Sequence, residues 1–385
     1  MNEDNFIITA SRLSLSEEHI ILLKDLSCKI EDWDYLLSMA NVHKVASIIY
    51  YSLTKYGLSN LVPSNLFSKF KNIFYTTLAK NVKYLQLLEK IAGVCDEKIV
   101  LLKGIDLVES LYPNVGIRSM GDIDILVEKG RGLNIFDKIL AAFCNENLMI
   151  DSPLHKSWVN EKLANLKAKH LPAICFKNGI LEIHCILFKN YDHDSINDKV
   201  WDSIVLYKQS RNIYCLGTEF MLLHLCVHFY CDAPYFVRLR MLCDINELII
   251  KYRETLNWEL ILYYCQNPSL RHEVTTALTY TYLYFTSPIP QDFIDDEEVH
   301  RTSRSLSELL SGIYDEKPLS LQLFFTDIAK IQKISEKIIY IYRALVPEKE
   351  WVTTHYNWLP KKSIMRSYFN YWNYHCSSLF KERFE

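Results

Sequence analysis

An α+β fold is predicted, a small mixed sheet set between two helical segments, and three observations predict it. Apolar residues recur at helical spacing up to about residue 97 and again from about residue 218. Between these stretches lie short β-type runs, at 98–102, 121–127 and 173–187, separated by helical patterns. The last run is divided by Lys177-Asn178-Gly179, and Asn-Gly between two apolar runs signals a hairpin with both residues at positive φ. The chain therefore divides into an N-terminal helical segment (1–97), an α/β core (98–210) and a C-terminal helical domain (211–385).

In the first segment, Glu31 and Asp32 are cap-type residues, followed at helical spacing by Trp33, Leu36, Leu37 and Ala40. A further helix over 81–95 carries Tyr84, Leu85, Leu88, Ile91 and Ala92 on one side. The run 98–102 reads as a strand ending at Lys103-Gly104. Ile105, Val108, Leu111 and Tyr112 then keep helical spacing up to Pro113. A loop over 114–120 leads into the strand 121–127, and an amphipathic helix covers about 133–145. The hairpin strands follow at 173–176 and 180–187. Helical patterns return at 220–228, 240–248, 257–264 and 274–284, and no clean internal repeat is present. The tail from Trp351 is rich in aromatic residues with scattered Lys and Arg. It reads as packing against the body with solvated charges, or else as a stacking surface for bases.

Bulk composition narrows the function. With 49% hydrophobic and 23% charged residues the chain is globular. A net charge of -3 argues against binding dominated by phosphate backbones. None of the 11 cysteines forms a C-x-x-C pair, and Cys226, Cys243 and Cys265 lie in apolar runs as small hydrophobes. The acidic N-terminus has no signal-peptide pattern and no uncharged apolar run reaches bilayer length, so a cytoplasmic protein with reduced thiols and no membrane partner is expected.

The chemistry concentrates in Gly121-Asp122-Ile123-Asp124-Ile125-Leu126-Val127. Strand alternation puts Ile123, Ile125 and Val127 on one face and Asp122 and Asp124 together on the other. At about 4 Å, like charges repel by on the order of 4 kcal/mol at an effective dielectric near 20. A divalent cation relieves that repulsion, and hard oxygen ligands favour Mg²⁺. On the second hairpin strand Ile180, Glu182, His184 and Ile186 share one face, with Leu181, Ile183, Cys185 and Leu187 on the other. If this strand adjoins the aspartate strand, three carboxylates converge, a set that can hold Mg²⁺ and activate a hydroxyl for attack on phosphorus. Alternatively, Glu182 lies on a solvated sheet face. Lys103-Gly104 sits where a strand-to-helix turn can receive phosphate on backbone N–H groups. Arg118 is either a phosphate contact through its planar fork or a surface arginine in a loop.

Among the histidines, His224 and His228 are i, i+4 on one helix face, a zinc-type spacing to which Asp244 would add a third ligand. The alternative is hydrogen bonding between helices beneath the cleft, which the incomplete ligand set favours. His170 and His184 either line a nucleotide pocket or are structural. No nucleophile arrangement stands out, since Cys185 lies on the apolar face.

At these residues the chain resembles the nucleotidyltransferase superfamily with a polymerase-β-like core. More narrowly, it is similar to the bacterial family of uncharacterised nucleotidyltransferases. The matching stretches are Leu101-Leu102-Lys103-Gly104 with Tyr112-Pro113, Gly116-Ile117-Arg118, Asp122-Ile123-Asp124 and Leu181-Glu182-Ile183-His184. Looser similarity runs through the helical part at 223–228 and 238–244. The chain departs from the broader superfamily in having Lys103-Gly104 where Gly-Ser is usual, Gly121 where Ser often precedes the first aspartate, and a longer linker between turn and acids. The resemblance implies that Asp122, Asp124 and Glu182 are the catalytic and metal-binding residues, with Glu182 as base or acceptor-positioning group. It implies that Lys103, Gly104, Arg118 and His184 surround the nucleotide, with Gly104 bordering the triphosphate. The expected activity is Mg²⁺-dependent transfer of a nucleoside monophosphate from an NTP to a hydroxyl or phosphate acceptor, a small molecule in preference to tRNA or protein. The alternatives are a degenerate nucleotide- or partner-binding protein and a toxin-like modifier of tRNA or protein.

Overall fold

The computed structural model describes residues 2–146, 148–151, 171–188, 196–208, 210–232, 239–297 and 299. His170, the C-terminal segment past 299 and the aromatic tail from Trp351 lie outside these residues. The described chain is a mixed α+β structure. Five helices come first: α1 (Asn2–Ala10), α2 (Glu17–Ser27), α3 (Trp33–Val42), α4 (Ala46–Lys55) and α5 (Ser64–Val94). Helix α3 begins where the cap residues place it, with the Asp32 carboxylate accepting from the Tyr35 N–H at 2.8 Å. Helix α5 is far longer than the 81–95 pattern suggests. Within this helix of 31 residues the buried positions Phe70, Phe74, Thr77, Asn81, Tyr84, Leu88 and Ile91 recur at three- and four-residue steps.

The sheet follows, its strands in the spatial order 149–151, 173–176, 179–184, 123–126, 99–101, 213–215 and 205–206. Its strands are β1 (Ile99–Leu101), β2 (Ile123–Leu126), β3 (Met149–Asp151), β4 (Ala173–Phe176), β5 (Gly179–His184), β6 (Val205–Leu206) and β7 (Ile213–Cys215). Helix α6 (Lys103–Ser110) links β1 to the loop before β2, α7 (Gly132–Ala142) follows β2, and α8 (Ile196–Ser203) precedes β6. Strand β1 runs antiparallel to β2 and parallel to β7. Strand β2 runs parallel to β5 with Asp124 opposite Glu182 and Leu126 opposite His184.

The hairpin forms, but its turn differs from the one expected. Phe176 pairs with Gly179, so Lys177 and Asn178 are the turn residues, and neither has a positive φ. Gly179 serves another purpose. A Cβ there would lie 2.9 Å from both Tyr84 and Leu87 of α5, so the glycine lets the helix approach the strand.

The C-terminal helices are α9 (Thr218–Asp232), α10 (Leu239–Tyr252), α11 (Trp258–Tyr264) and α12 (Pro268–Phe285). Asn257 and Asn267 cap the last two through side-chain oxygens. Two apolar clusters hold the molecule together. On one face of the sheet Ile99, Leu101, Ile123, Ile125, Leu181 and Ile183 pack with Leu88 and Ile91 of α5 and Phe136 and Ile139 of α7. Each such side chain contributes about 1.5–3 kcal/mol when fully buried. On the other side, Val100, Leu102 and Leu126 join a cluster that runs through both the N-terminal and the C-terminal helices. The Arg12 guanidinium fastens the two helical groups, donating to the Phe285 and Tyr284 carbonyls at 3.0 Å each. No helix among the described residues is long and apolar enough to cross a membrane.

Candidate active site

Because Ile123 and Ile125 are buried in the sheet core, Asp124 between them must face the opposite side, where it is 3% exposed. Strands in a sheet lie about 4.8 Å apart, so the in-register pairing of Asp124 with Glu182 brings their carboxylates to one place. His184 is two residues along β5 and shares that face. Its Nε2 is 2.9 Å from Asp124 Oδ1 and 3.7 Å from Glu182 Oε2. Ligand atoms of Asp124, Glu182 and His184 lie within 4.8 Å of one another, a grouping of the kind that can hold a metal ion. Asp122 stands just before β2, half-buried on the same side.

Charge is unevenly shared between the aspartates. Burial favours the neutral form of Asp124, but the Lys103 ammonium at 3.2 Å and the His184 hydrogen bond outweigh it and hold this carboxyl well below the usual range. Among the described residues Asp122 has no such direct partner. Burial first, then the charge of Asp124, push it up to about 6 against the pull of Lys103. The two acids thus titrate as a pair with their affinities driven apart. Lys103 itself is raised, since Asp124 and Asp122 overcome the burial that would discharge it.

Lys103 occupies the turn from β1 into α6 with φ at 44°, a left-handed conformation that costs an L-residue roughly 1–2 kcal/mol. Such strain is common where a side chain is aimed at a functional site, and here it delivers the ammonium to Asp124. Gly104 comes next and is buried. A Cβ on it would meet the Arg118 guanidinium at 2.6 Å, so the glycine makes room for that arginine.

Arg118 is not a surface arginine: it is 4% exposed. Its Nε and Nη2 grip the two Asp244 oxygens of α10 at 2.8 and 2.7 Å, a bidentate pair. Tyr112 O–H donates to the same Asp244 Oδ1 at 2.7 Å. The loop before the acids is held from α5 as well. Asn81 Nδ2 donates to the Val115 and Arg118 carbonyls at 2.5 and 2.7 Å, and Tyr84 O–H to the Gly121 carbonyl at 2.6 Å. Arg240 Nη1 donates to the Ser119 carbonyl at 2.5 Å. Sequence reasoning missed this framework of Asn81, Tyr84, Tyr112 and Arg240. Its only signal was polar residues on otherwise apolar helix faces.

The His224, His228 and Asp244 triple does not assemble as a zinc site. Asp244 is committed to Arg118 and Tyr112, and the two imidazoles stack with centroids 6.4 Å apart. His228 is near enough to Asp124 that its imidazole, when protonated, favours the charged carboxylate. Cys185 is half-buried, and burial pushes its thiol up to about 11, away from nucleophilic use.

A mixed sheet that brings an Asp-x-Asp strand beside a Glu-bearing strand, with a strand-to-helix turn at the same edge, defines a nucleotidyltransferase-type protein. The model of a family described as uncharacterised nucleotidyltransferase matches residues 29–286, so the chain belongs to that family. No curated protein matches the chain.

Proposed function

We propose that the protein is a Mg²⁺-dependent nucleotidyltransferase that moves an NMP from an NTP to a hydroxyl on a small-molecule acceptor and releases pyrophosphate. The observation that carries this reading is the register of β2 against β5, which sets Glu182 beside Asp124 within reach of His184 and Lys103. The donor chemistry fits a divalent cation, because the carboxylate oxygens are hard ligands and Asp124 is ionised. Asp122, Asp124 and Glu182 would hold it. When bound, the cation neutralises triphosphate charge.

The chain's own residues do the rest. Asp124 is kept charged and oriented by His184. Lys103, with Gly104 at the start of α6, faces the triphosphate once its ammonium leaves Asp124. Glu182 takes the proton of the acceptor hydroxyl. That oxygen forms a bond to the α-phosphorus while the bond to the bridging oxygen breaks, and pyrophosphate departs with the electron pair. Phosphoryl chemistry of this kind rests mainly on positioning and charge neutralisation. In this reading the 98–210 core carries the chemistry, with the described helices that precede and follow it walling the cleft.

The test is pyrophosphate release with each NTP, Mg²⁺ and pools of small-molecule acceptors. Asp122→Asn combined with Asp124→Asn is expected to abolish release, at least 10³-fold, without loss of folded structure by circular dichroism. Full activity in that double variant would reject the assignment.

A further inference from the structure

A cavity of about 720 Å³ opens between the middle of α5 and the β4–β5 turn. Its lining includes Lys80, Lys83 and Lys177 with Tyr75, Tyr84 and Ile180. The three lysines are exposed, and no described carboxylate pairs with any of them. In a chain of net charge -3, three ammonium groups around one concavity, that of Lys80 resting over the Tyr84 ring, form a local anion site. Tyr75, 52% exposed, adds an aromatic surface at the mouth.

The cavity lies near the start of the two acid-bearing strands, though no acid lines it. Ile180 precedes Glu182 by two residues and so shares its face. Continuing the β2–β5 register by one step past Ile123 and Leu181 sets Asp122 abreast of Ile180. Tyr84 lines the cavity and bonds the carbonyl of Gly121, the residue before Asp122. Asp122 also helps raise the Tyr84 hydroxyl, which burial and this charge push up to about 12. The cavity therefore opens at the Asp122 end of the site, while Lys103 and the α6 N-terminus lie on the β1 side of Asp124.

Building on the nucleotidyltransferase reading above, we infer that this cavity receives the acceptor, and that the acceptor is a phosphorylated small-molecule alcohol. Its phosphate sits among Lys80, Lys83 and Lys177, and its hydroxyl points past Ile180 toward Glu182. Lysine suits this task as a mobile point charge for a dianion. An open hollow of this size admits a small organic molecule, and its three lysines come from two elements, α5 and the β4–β5 turn, that meet there.

The experiment treats the full chain with pyridoxal 5′-phosphate and then borohydride, and maps modified lysines by peptide mass spectrometry. Pyridoxal without the phosphate is the control. At least one of Lys80, Lys83 and Lys177 is expected to react tenfold or more faster with the phosphorylated reagent. Glycerol 3-phosphate should slow that labelling severalfold and glycerol should not. Equal labelling by both reagents, or at the rate of exposed lysines elsewhere, would overturn the inference. Protection by inorganic phosphate alone would reduce the cavity to a bare phosphate site and also overturn it. Protection by a Mg²⁺-bound non-hydrolysable NTP but not by glycerol 3-phosphate would give the cavity to the triphosphate and remove the acceptor from it. Nucleotide binding, titrated calorimetrically on the same unlabelled preparation, reports on the nucleotidyltransferase reading by itself: its absence counts against that reading whatever the lysines show.

Discussion

Lys103 shows how one residue departs from local preference to serve a site. Its left-handed backbone and its contact with Asp124 belong together, since the turn that costs conformational energy also aims the ammonium. A second ionisable group on α6, Asp106, has the opposite environment. It is 3% exposed, and burial pushes its carboxyl up to about 6 against the smaller pull of Ser110 and Cys215. The folded state thus binds a proton that the unfolded chain, at an ordinary value near 3.8, has released. Stability therefore falls as pH rises from about 4 to 6, and the penalty of about 3 kcal/mol is fully present above pH 6. Asp106→Asn is expected to be more stable than the parent by about that amount at pH 8 and nearly equal to it at pH 4, read by urea unfolding. A gain that is the same at both pH values would contradict the burial argument.

The acids were legible because strand alternation is a two-residue rule that needs no partner. The Asp-x-Asp face, Glu182 and His184 could all be assigned to one side of their strands from sequence, and the β2–β5 pairing then brings them together. Arg118 was not legible. Its spacing before Asp122 is compatible with a ligand contact, whereas its actual partner, Asp244, lies 126 residues away.

Among the elements, α5 illustrates why pattern reading falls short near a site. Thr77 and Asn81 lie on its buried stripe and interrupt the apolar repeat, which hides the first half of the helix. Asn81 is polar because it holds the loop that carries Arg118. The hairpin gives a related lesson. Its existence was legible from composition, but its turn was not, because Gly179 answers to Tyr84 and Leu87 across the core and not to the turn itself. The short strands β6 and β7, of 2 and 3 residues, carry too little periodicity to be read at all.

The strongest tie between the site loop and the C-terminal helices is the pair formed by Arg118 and Asp244. Both side chains are almost fully buried, and removing one leaves the other charge stranded. Arg118→Ala is expected to cost about 3–5 kcal/mol in denaturant unfolding. Arg118→Lys should recover only part of that, because a lysine lacks the fork that meets both Asp244 oxygens. A loss under about 1 kcal/mol for the alanine variant would mean the pair does not brace the loop.

Across the molecule as a whole, the N-terminal and C-terminal helices are far apart in sequence yet share one apolar cluster, with Arg12 capping the carbonyls at the end of α12. The slowest-exchanging amides of α1 and α12 are therefore expected to open with the same free energy in native-state hydrogen exchange. Clearly different values would show two separately stable bodies. The shared cluster also explains how a sheet with strands of only 2 to 6 residues is held rigid enough to position charges: one of its faces packs on α5 and α7, and the other is backed by the common helical cluster.

The account stands or falls on where a nucleotide binds. The most direct measurement is a crystal structure of the protein soaked with a non-hydrolysable NTP and Mg²⁺. The prediction is a triphosphate beside Lys103 and Gly104, with a metal ion at about 2.1 Å from oxygens of Asp122 and Asp124 and Glu182 next to the open acceptor side. A nucleotide bound elsewhere, or a metal held without either aspartate, would contradict it.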